Sequence, residues 1–380
     1  MVKNVGLFHV NNLEGFSGTP KNLARALQAL QGQVGLEVAI LNFDRAYRPT
    51  VMKRTIKRVA RAVTGRHYLW EKEPRRCRYM SAELDRLILE HKPEAILMLF
   101  GSEVCAFSET EVPIYCFSDS IFGSRTDFYD DQKNISRSSV NDGKLVQQLA
   151  LNRLRKLYIS SQWALDRAQE KYHYAVSPSK LRVVGVGANL PPAIYKYQPA
   201  PIEFRNTCAE FVWVGVDWDR KRGQFAIDVV AALRQLGINA RLHVVGPVSF
   251  RADHDWVCAH GLLNYDRSAD FTRFREIFER CCAMLLPSKA DLTPIAIAEC
   301  YAFGRPVFAS RTGAIVEMIL ESQTGLTIAS NSPADWASAI VEFFNHQSHV
   351  EIAKACRSRF TSAFNWDSVA RQIADEIIGQ

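Results

Sequence analysis

Two carboxylates, Asp291 and Glu299, stand eight residues apart around a helix start in the string PSKADLTPIAIAECYAFGRPVFASRTGAIVE, residues 287–317. Thr293 is a good N-cap, Pro294 suits the first helical position where no N–H is needed, and Ile295, Ala296, Ile297 and Ala298 supply an apolar body. Amides near residues 294–296 and the positive end of the helix dipole favour a phosphate, while the flanking carboxylates can accept hydrogen bonds from sugar hydroxyls. A nucleotide sugar carries both groups. By spacing alone, the same string also reads as an ordinary βα unit.

Three other stretches carry chemistry. Residues 11–20, NNLEGFSGTP, open onto a helix, and Gly15 and Gly18 let backbone amides approach a phosphate or sugar oxygen closely. Residues 211–223, FVWVGVDWDRKRG, end a strand and start a helix, so Arg220 and Lys221 can neutralise a departing diphosphate. In residues 113–120, PIYCFSDS, Asp119 follows a strand, where it either caps the next turn or faces a ligand.

Asp217-Trp218-Asp219 and Asp253-His254-Asp255 each have the form of a metal-binding Asp-x-Asp pair. The first is followed by Arg220, Lys221 and Arg222, which compete for the same phosphate, so no metal is expected. His9, His173, His243 and His260 show no metal spacing, and no Walker loop, Gly-x-Ser-x-Gly elbow or His-Glu-x-x-His is present.

Taken together, these strings resemble the retaining GT-B glycosyltransferases, the large family that includes glycogen synthases and bacterial mannosyltransferases (glycosyltransferase family 4 type). The family pattern of Glu, seven residues and Glu is met with Asp291 in the first place and Glu299 in the second. Val216 stands where many relatives place an Arg. Tyr158–Trp163, Val184–Asn189 and Phe364–Ala370 are similar to other family segments, with Trp366 read as a packing anchor.

The resemblance implies a GT-B architecture, two Rossmann-like α/β domains facing each other across a cleft. It implies that Glu299 binds the donor ribose, that Asp291 holds the sugar hydroxyls, and that the amides around Thr293, Pro294 and Ile295 hold sugar and phosphate. Lys221 and Arg220 would take the diphosphate, Gly18 and Gly15 would touch donor phosphate, and Asp119 would polarise the acceptor or hold a donor hydroxyl. The expected catalytic set is Asp119, Lys221 and Asp291. The expected reaction moves a hexose-type sugar from a nucleoside diphosphate sugar to a hydroxyl of a glycan or lipid-linked acceptor. It would proceed with retention, without cofactor or metal, in bacterial surface polysaccharide (lipopolysaccharide) synthesis. A GT-B sugar-nucleotide epimerase and a catalytically silent nucleotide-sugar-binding protein remain as alternatives.

The elements that must position these residues follow from periodicity. Short apolar runs alternate with helix-like segments along all 380 residues, as a parallel α/β sheet requires. Val5–Val10, Val38–Asn42, Ala95–Leu99, Ile114–Phe117, Leu157–Ser160 and Val183–Val186 read as strands of a first set. Pro20–Leu30, Ser81–His91 and Ser161–Tyr172 read as its helices. Pro191, Pro192, Pro199 and Pro201 mark a linker over residues 189–201. The expected domains are 1–195, completed by a C-terminal helix at about 366–380, and 196–365.

Nine cysteines without CxxC spacing read as reduced, mostly buried thiols. No span of about 18 uninterrupted apolar residues occurs, and Met1 leads straight into a strand-like segment, so the expected location is the cytoplasm, at the inner face of the membrane if lipid is engaged. Residues 1–195 hold 28 Lys/Arg against 19 Asp/Glu, with ten of those cations between Lys53 and Arg78, where Tyr68 and Trp70 are interleaved. That stretch reads either as a solvated surface or as a peripheral membrane contact. No nucleic-acid-binding signature accompanies it.

Overall fold

The computed structural model describes residues 3–9, 18–42, 51–199, 204, 208–246 and 254–379, with residues 51–54, 56, 57 and 60 described by their backbone. The chain forms two α/β units, unit 1 comprising Met1–Gly185 with Val369–Gln380, and unit 2 comprising Val186–Ser368. The division falls after residue 185 rather than 195. Residues from Val186 onward pack on the end of unit 2, where the Trp366 ring lies so close over Gly187 that a Cβ would sit 2.4 Å from it.

Unit 1 runs β1 (Lys3–His9), α1 (Thr19–Ala29), β2 (Leu36–Asn42), α2 (Val51–Thr64), α3 (Pro74–His91), β3 (Ala95–Leu99), β4 (Ile114–Ser118), α4 (Arg137–Arg153), β5 (Lys156–Ile159), α5 (Gln162–Tyr172) and β6 (Leu181–Val183). The six strands are parallel in the order β2-β1-β3-β4-β5-β6. β3 and β4 are buried at every position, the pattern of a sheet covered on both faces. Ser161 caps α5 by accepting from the Ala164 N–H.

Unit 2 runs β7 (Ala209–Val214), α6 (Gly223–Gln235), β8 (Ala240–Val245), β9 (Val257–Gly261), α7 (Ser268–Arg280), β10 (Ala283–Leu286), α8 (Ile295–Ala302), β11 (Val307–Ser310), α9 (Ile315–Met318), β12 (Gly325–Ile328), α10 (Pro333–His346) and α11 (His349–Ser362). Its strands are also parallel, in the order β12-β11-β10-β7-β8-β9. α12 (Trp366–Ile378) begins in unit 2 and from Val369 belongs to unit 1.

Two helices differ from the sequence reading. α3 starts at Pro74, seven residues before the expected Ser81, because Pro74 occupies the first turn and the basic residues after it tolerate helix well. α4 is not among the expected helices; it passes through Asn141-Asp142-Gly143, where a Cβ on Gly143 would lie 2.4 Å from the Phe122 ring, so packing there demands glycine. All nine cysteines are unpaired, seven of them buried.

Candidate functional site

In unit 2 the strand order reverses at β7, with β8 and β9 on one side and β10 to β12 on the other. Open parallel sheets bind ligands beyond the carboxyl ends of their strands at such a reversal. The loops that follow β7 and β10 leave from this point. They are tied together by the Lys289 N–H, which donates to the Arg220 carbonyl at 2.8 Å.

Arg220 and Lys221 converge on Asp291. The Arg220 guanidinium lies 3.3 Å from Asp291 Oδ2 and donates to the Ala290 carbonyl at 2.7 Å, and Lys221 Nζ lies 3.6 Å from the same carboxylate oxygen. The Ser288 hydroxyl donates to that oxygen as well, at 3.5 Å. Asp291 is 8% exposed, so both cations are held near a largely dehydrated carboxylate.

Gly215 makes room for this arrangement. A Cβ there would lie 2.5 Å from Lys221 Cδ and 3.0 Å from the Trp213 ring, so the lysine stem crosses the strand end over a bare backbone. Trp213 Nε1–H donates to the Lys221 carbonyl at 3.1 Å and fixes the turn from below. Asp217 accepts from the Arg220 N–H at 3.0 Å and pairs with its side chain at 3.3 Å. That carboxylate therefore shapes the turn. Among the described residues no group of three or more metal-ligating side chains gathers, and Asp253 lies outside them.

Glu299 sits in the second turn of α8 and is 5% exposed. Burial raises its carboxyl from 4.5 to about 7, against the opposing pull of the Lys221 charge and of hydrogen bonds from the Tyr265 hydroxyl and the Asn189 N–H. Burial, and then the adjacent Glu299 charge, push the Tyr265 hydroxyl well above its ordinary value. Neither Tyr265 nor Asn189 is a site residue in the sequence reading, because each reaches Glu299 through tertiary packing with no local motif. Trp366 Nε1–H donates to Asn189 Oδ1 at 2.8 Å, so the packing anchor also fixes this contact.

α8 begins one residue later than expected. Pro294 is its cap and Ile295 its first residue, so the N-cap position expected for Thr293 falls to Pro294, which has no side-chain acceptor to offer. Pro294 has φ −69 and ψ 111, an extended ψ that puts it outside the helix proper. The Ile297 N–H donates to the Pro294 carbonyl at 3.0 Å, and the helix start sits on the same loop as Asp291. Unit 2 thus gathers Arg220, Lys221, Asp291, Glu299 and the segment Thr293, Pro294 and Ile295 around one strand-order reversal.

The remaining candidates lie in unit 1. Gly18 is the N-cap of α1 with φ 78, a left-handed conformation that favours glycine, and Asn22 Nδ2 donates to its carbonyl at 2.9 Å. Gly15 lies outside the described residues. Asp119 follows β4, accepts from the Ser120 hydroxyl at 2.8 Å and lines a cavity of about 430 Å³. Along α2, the described side chains of Thr55, Arg58, Val59 and residues 61–64 are exposed, while those of Lys53, Arg54 and Lys57 lie outside the described residues. No helix of the described residues is long and apolar enough to cross a membrane.

Residues 209–346 match the family described as Glycosyl transferases group 1. A glycogen synthase of Mycobacterium tuberculosis (strain CDC 1551 / Oshkosh) is 28% identical over 174 residues, covering 44% of this chain and 41% of the relative. The match therefore spans about two fifths of that curated protein's length. Among solved structures, the apo form of the lipopolysaccharide outer core galactosyltransferase WaaB superposes with TM-score 0.66 at 12% identity, over 99% of both chains. Anabaena HepE in complex with UDP superposes with TM-score 0.63 at 13% identity, over 100% of both chains. The fold is GT-B, two α/β units each built on a six-stranded parallel sheet. The resemblance carried by the motifs, to GT-B glycosyltransferases of the family 4 type, holds.

Proposed function

We propose that the protein is a retaining glycosyltransferase that moves a hexose-type sugar from a nucleoside diphosphate sugar to a hydroxyl of a glycan or lipid-linked acceptor in bacterial surface polysaccharide synthesis. The observation that carries this reading is the meeting of two cations and two carboxylates at the reversal between β7 and β10. The structural neighbour HepE is described in complex with UDP and with UDP-glucose, which supports a donor of that class.

The chemistry follows from what each group can do. As the bond between the anomeric carbon and the diphosphate breaks, negative charge grows on the leaving oxygen, and Lys221 and Arg220 are the cations positioned to offset it. Asp291 holds both cations in place before the donor arrives and offers a carboxylate oxygen to sugar hydroxyls afterwards. Glu299, ionised when it accepts two hydroxyl donors, suits the ribose diol. The amides at the start of α8 complete the grip on phosphate and sugar. Asp119 of unit 1 serves the acceptor hydroxyl. Retention, metal independence and membrane contact through Lys53–Arg78 are parts of the same proposal, and rest on the family resemblance, on Asp217 being engaged by Arg220, and on the basic stretch.

A transfer assay with a panel of UDP-, GDP- and ADP-sugars tests the reading. One donor should be turned over at an undiminished rate with chelator present, and Glu299→Ala should abolish that turnover. Lys221→Ala should lower the rate constant by roughly 100- to 1,000-fold, the usual cost of removing a group that stabilises developing charge. Unchanged rates in both variants would sink the assignment.

A further inference from the structure

Unit 2 also holds an imidazole pair that the chemistry proposed above leaves unused. β8 and β9 run in register as far as Val244 and Ala259 and then skip a residue, so that Val245 faces Gly261 and His260 is left over. Such a bulge re-aims the side chain it carries. Here it lays the His260 ring along that of His243, with centroids 5.1 Å apart and planes at 22°, and brings His260 Nε2 to 2.8 Å from His243 Nδ1. The bulge ends on Gly261, whose φ of 72 turns the chain and whose carbonyl accepts from the Gly246 N–H at 3.0 Å. Gly246 is pressed in turn against Gly215, because a Cβ on it would lie 1.8 Å from the Gly215 carbonyl oxygen. Gly215 is the residue over which the Lys221 stem passes.

One contact fixes the protons of the pair. The Arg273 guanidinium, which can only donate, lies 3.2 Å from His260 Nδ1, so that nitrogen accepts and the His260 proton sits on Nε2. His260 Nε2–H then donates to His243 Nδ1, and His243 Nε2–H donates to Glu210 Oε2 at 2.7 Å. Glu210 Oε2 accepts from Arg280 as well, at 3.0 and 3.1 Å. The chain runs one way, from α7 across β9 and β8 to β7, and both rings in it are neutral. Arg241 lies two residues before His243 on the same face of β8, Cys258 is its partner on β9, and the Cys208 thiol, raised by burial and then by Glu210, stands ahead of β7.

An added proton turns both nitrogens of one ring into donors, and can be housed only by giving up the Arg273 contact or the ring–ring bond. It also adds a positive charge near Arg273 and Arg280, with Glu210 already shared. Burial first, and then the neighbouring His243, Arg273 and Arg280, hold His260 at about 4 against an ordinary 6.5. His260 is only partly buried, on the edge strand β9, so its ring can turn out to solvent, whereas His243 is 2% exposed.

We propose that the His243–His260 pair is an acid-opened latch: with both rings neutral it pins the bulge of β9 to β8 and α7, and proton uptake frees His260 and loosens the Gly246–Gly261 bond that closes the strand ends. The neutral rings belong to the closed form, so the latch is at full strength above pH 6.5 and weakens as pH falls toward 4, by up to about ten-fold in the closed-to-open ratio per pH unit. Its consequence for Lys221 and donor binding rests on the glycosyltransferase reading above; the latch rests on the hydrogen-bond chain alone.

Two measurements on the whole chain test this. Two-bond proton–nitrogen correlation spectra at pH 7 should show both imidazoles neutral with the proton on Nε2, and an Nδ1–H ring or an imidazolium at either position would overturn the inference. Hydrogen exchange, corrected for intrinsic rates, should show protection of the Gly246 N–H falling roughly 10- to 30-fold between pH 7 and pH 5, while His260→Gln, which takes up no proton there, changes by less than about three-fold. Circular dichroism controls for folding. Arg273→Ala, on the surface of α7, gives an independent check, since it should raise the His260 midpoint by at least about half a unit. Protection that ignores pH in the natural chain, an equal fall in His260→Gln, or an unmoved midpoint in Arg273→Ala overturns the latch. UDP affinity should lose at least about three-fold more over the same pH interval in the natural chain than in His260→Gln. No UDP binding at either pH, with the exchange result intact, would sink the donor reading and leave the latch standing, whereas equal losses would overturn its reach to Lys221.

Discussion

At the scale of single residues, the role proposed for Glu299 in donor binding is set against stability. Its carboxyl moves from 4.5 to about 7 because burial costs the charged form more than Lys221, Tyr265 and Asn189 return. The folded chain therefore keeps a proton that the unfolded chain releases. The stability this contributes is fully present below pH 4.5, shrinks as pH rises, and is gone above about pH 7. At 1.4 kcal/mol per unit the swing is roughly 3 kcal/mol. Glu299→Gln, which cannot ionise, should gain stability relative to the natural chain between pH 5 and pH 8, as urea denaturation at the two values would show. The same variant should weaken donor binding by about 10- to 100-fold, the worth of a hydrogen bond to a charged group. An unchanged pH slope would mean that Glu299 is ionised throughout. Tyr265→Phe tests the support of this group from the other side: without the hydroxyl the Glu299 carboxyl rises further, and donor binding measured at pH 7 should fall while binding at pH 8.5 recovers most of the loss.

At the scale of elements, the positioning of Lys221 depends on how β7 ends. Gly215→Ala would place a Cβ 2.5 Å from Lys221 Cδ and 3.0 Å from a wholly buried Trp213 ring. The lysine stem can yield, whereas the indole cannot. Overpacking of this kind costs about 1–3 kcal/mol, and displacement of a charged group by about 1 Å lowers turnover by up to roughly 100-fold. Steady-state rates at saturating donor, alongside thermal melts, should show the larger loss in rate. The turn after β7 is legible in the sequence, because Gly215, Arg220 and Lys221 lie in one short string with a strand before it and a helix after it. β3 is legible to the residue, since the apolar run Ala95–Leu99 starts after Glu94 and is closed by the Phe100-Gly101 turn. α4 is not legible. Asn-Asp-Gly is a turn signal when local preference decides, and here the Phe122 ring decides instead. The same holds for Tyr265 and Asn189, whose contacts with Glu299 come from parts of the chain that nothing local connects.

At the scale of the whole molecule, the chain passes from unit 1 to unit 2 after Gly185 and returns after Ser368. The returning helix contributes Val369, Ile373 and Ile377 to the buried interior of unit 1, each at most 1% exposed. Its Glu376 accepts from Lys156 at 2.9 Å and pairs with Arg182 at 2.8 Å, on β5 and β6. At about 2 kcal/mol per large buried aliphatic side chain, those three residues supply roughly 6 kcal/mol, comparable to the net stability of an ordinary domain. Ending the chain after Ser368 should therefore unfold unit 1 and spare unit 2. Hydrogen exchange should show β1 to β6 losing protection while β7, β8 and β10 keep theirs, and UDP should still raise protection around α8. A uniform loss across both sheets would mean that the two units fold as one, and retention of protection in β5 and β6 would mean that α12 is dispensable to the sheet it covers. The first outcome expected here follows from the path of the chain: a unit closed by a segment from the far end of the sequence cannot complete its core until the other unit has been traversed.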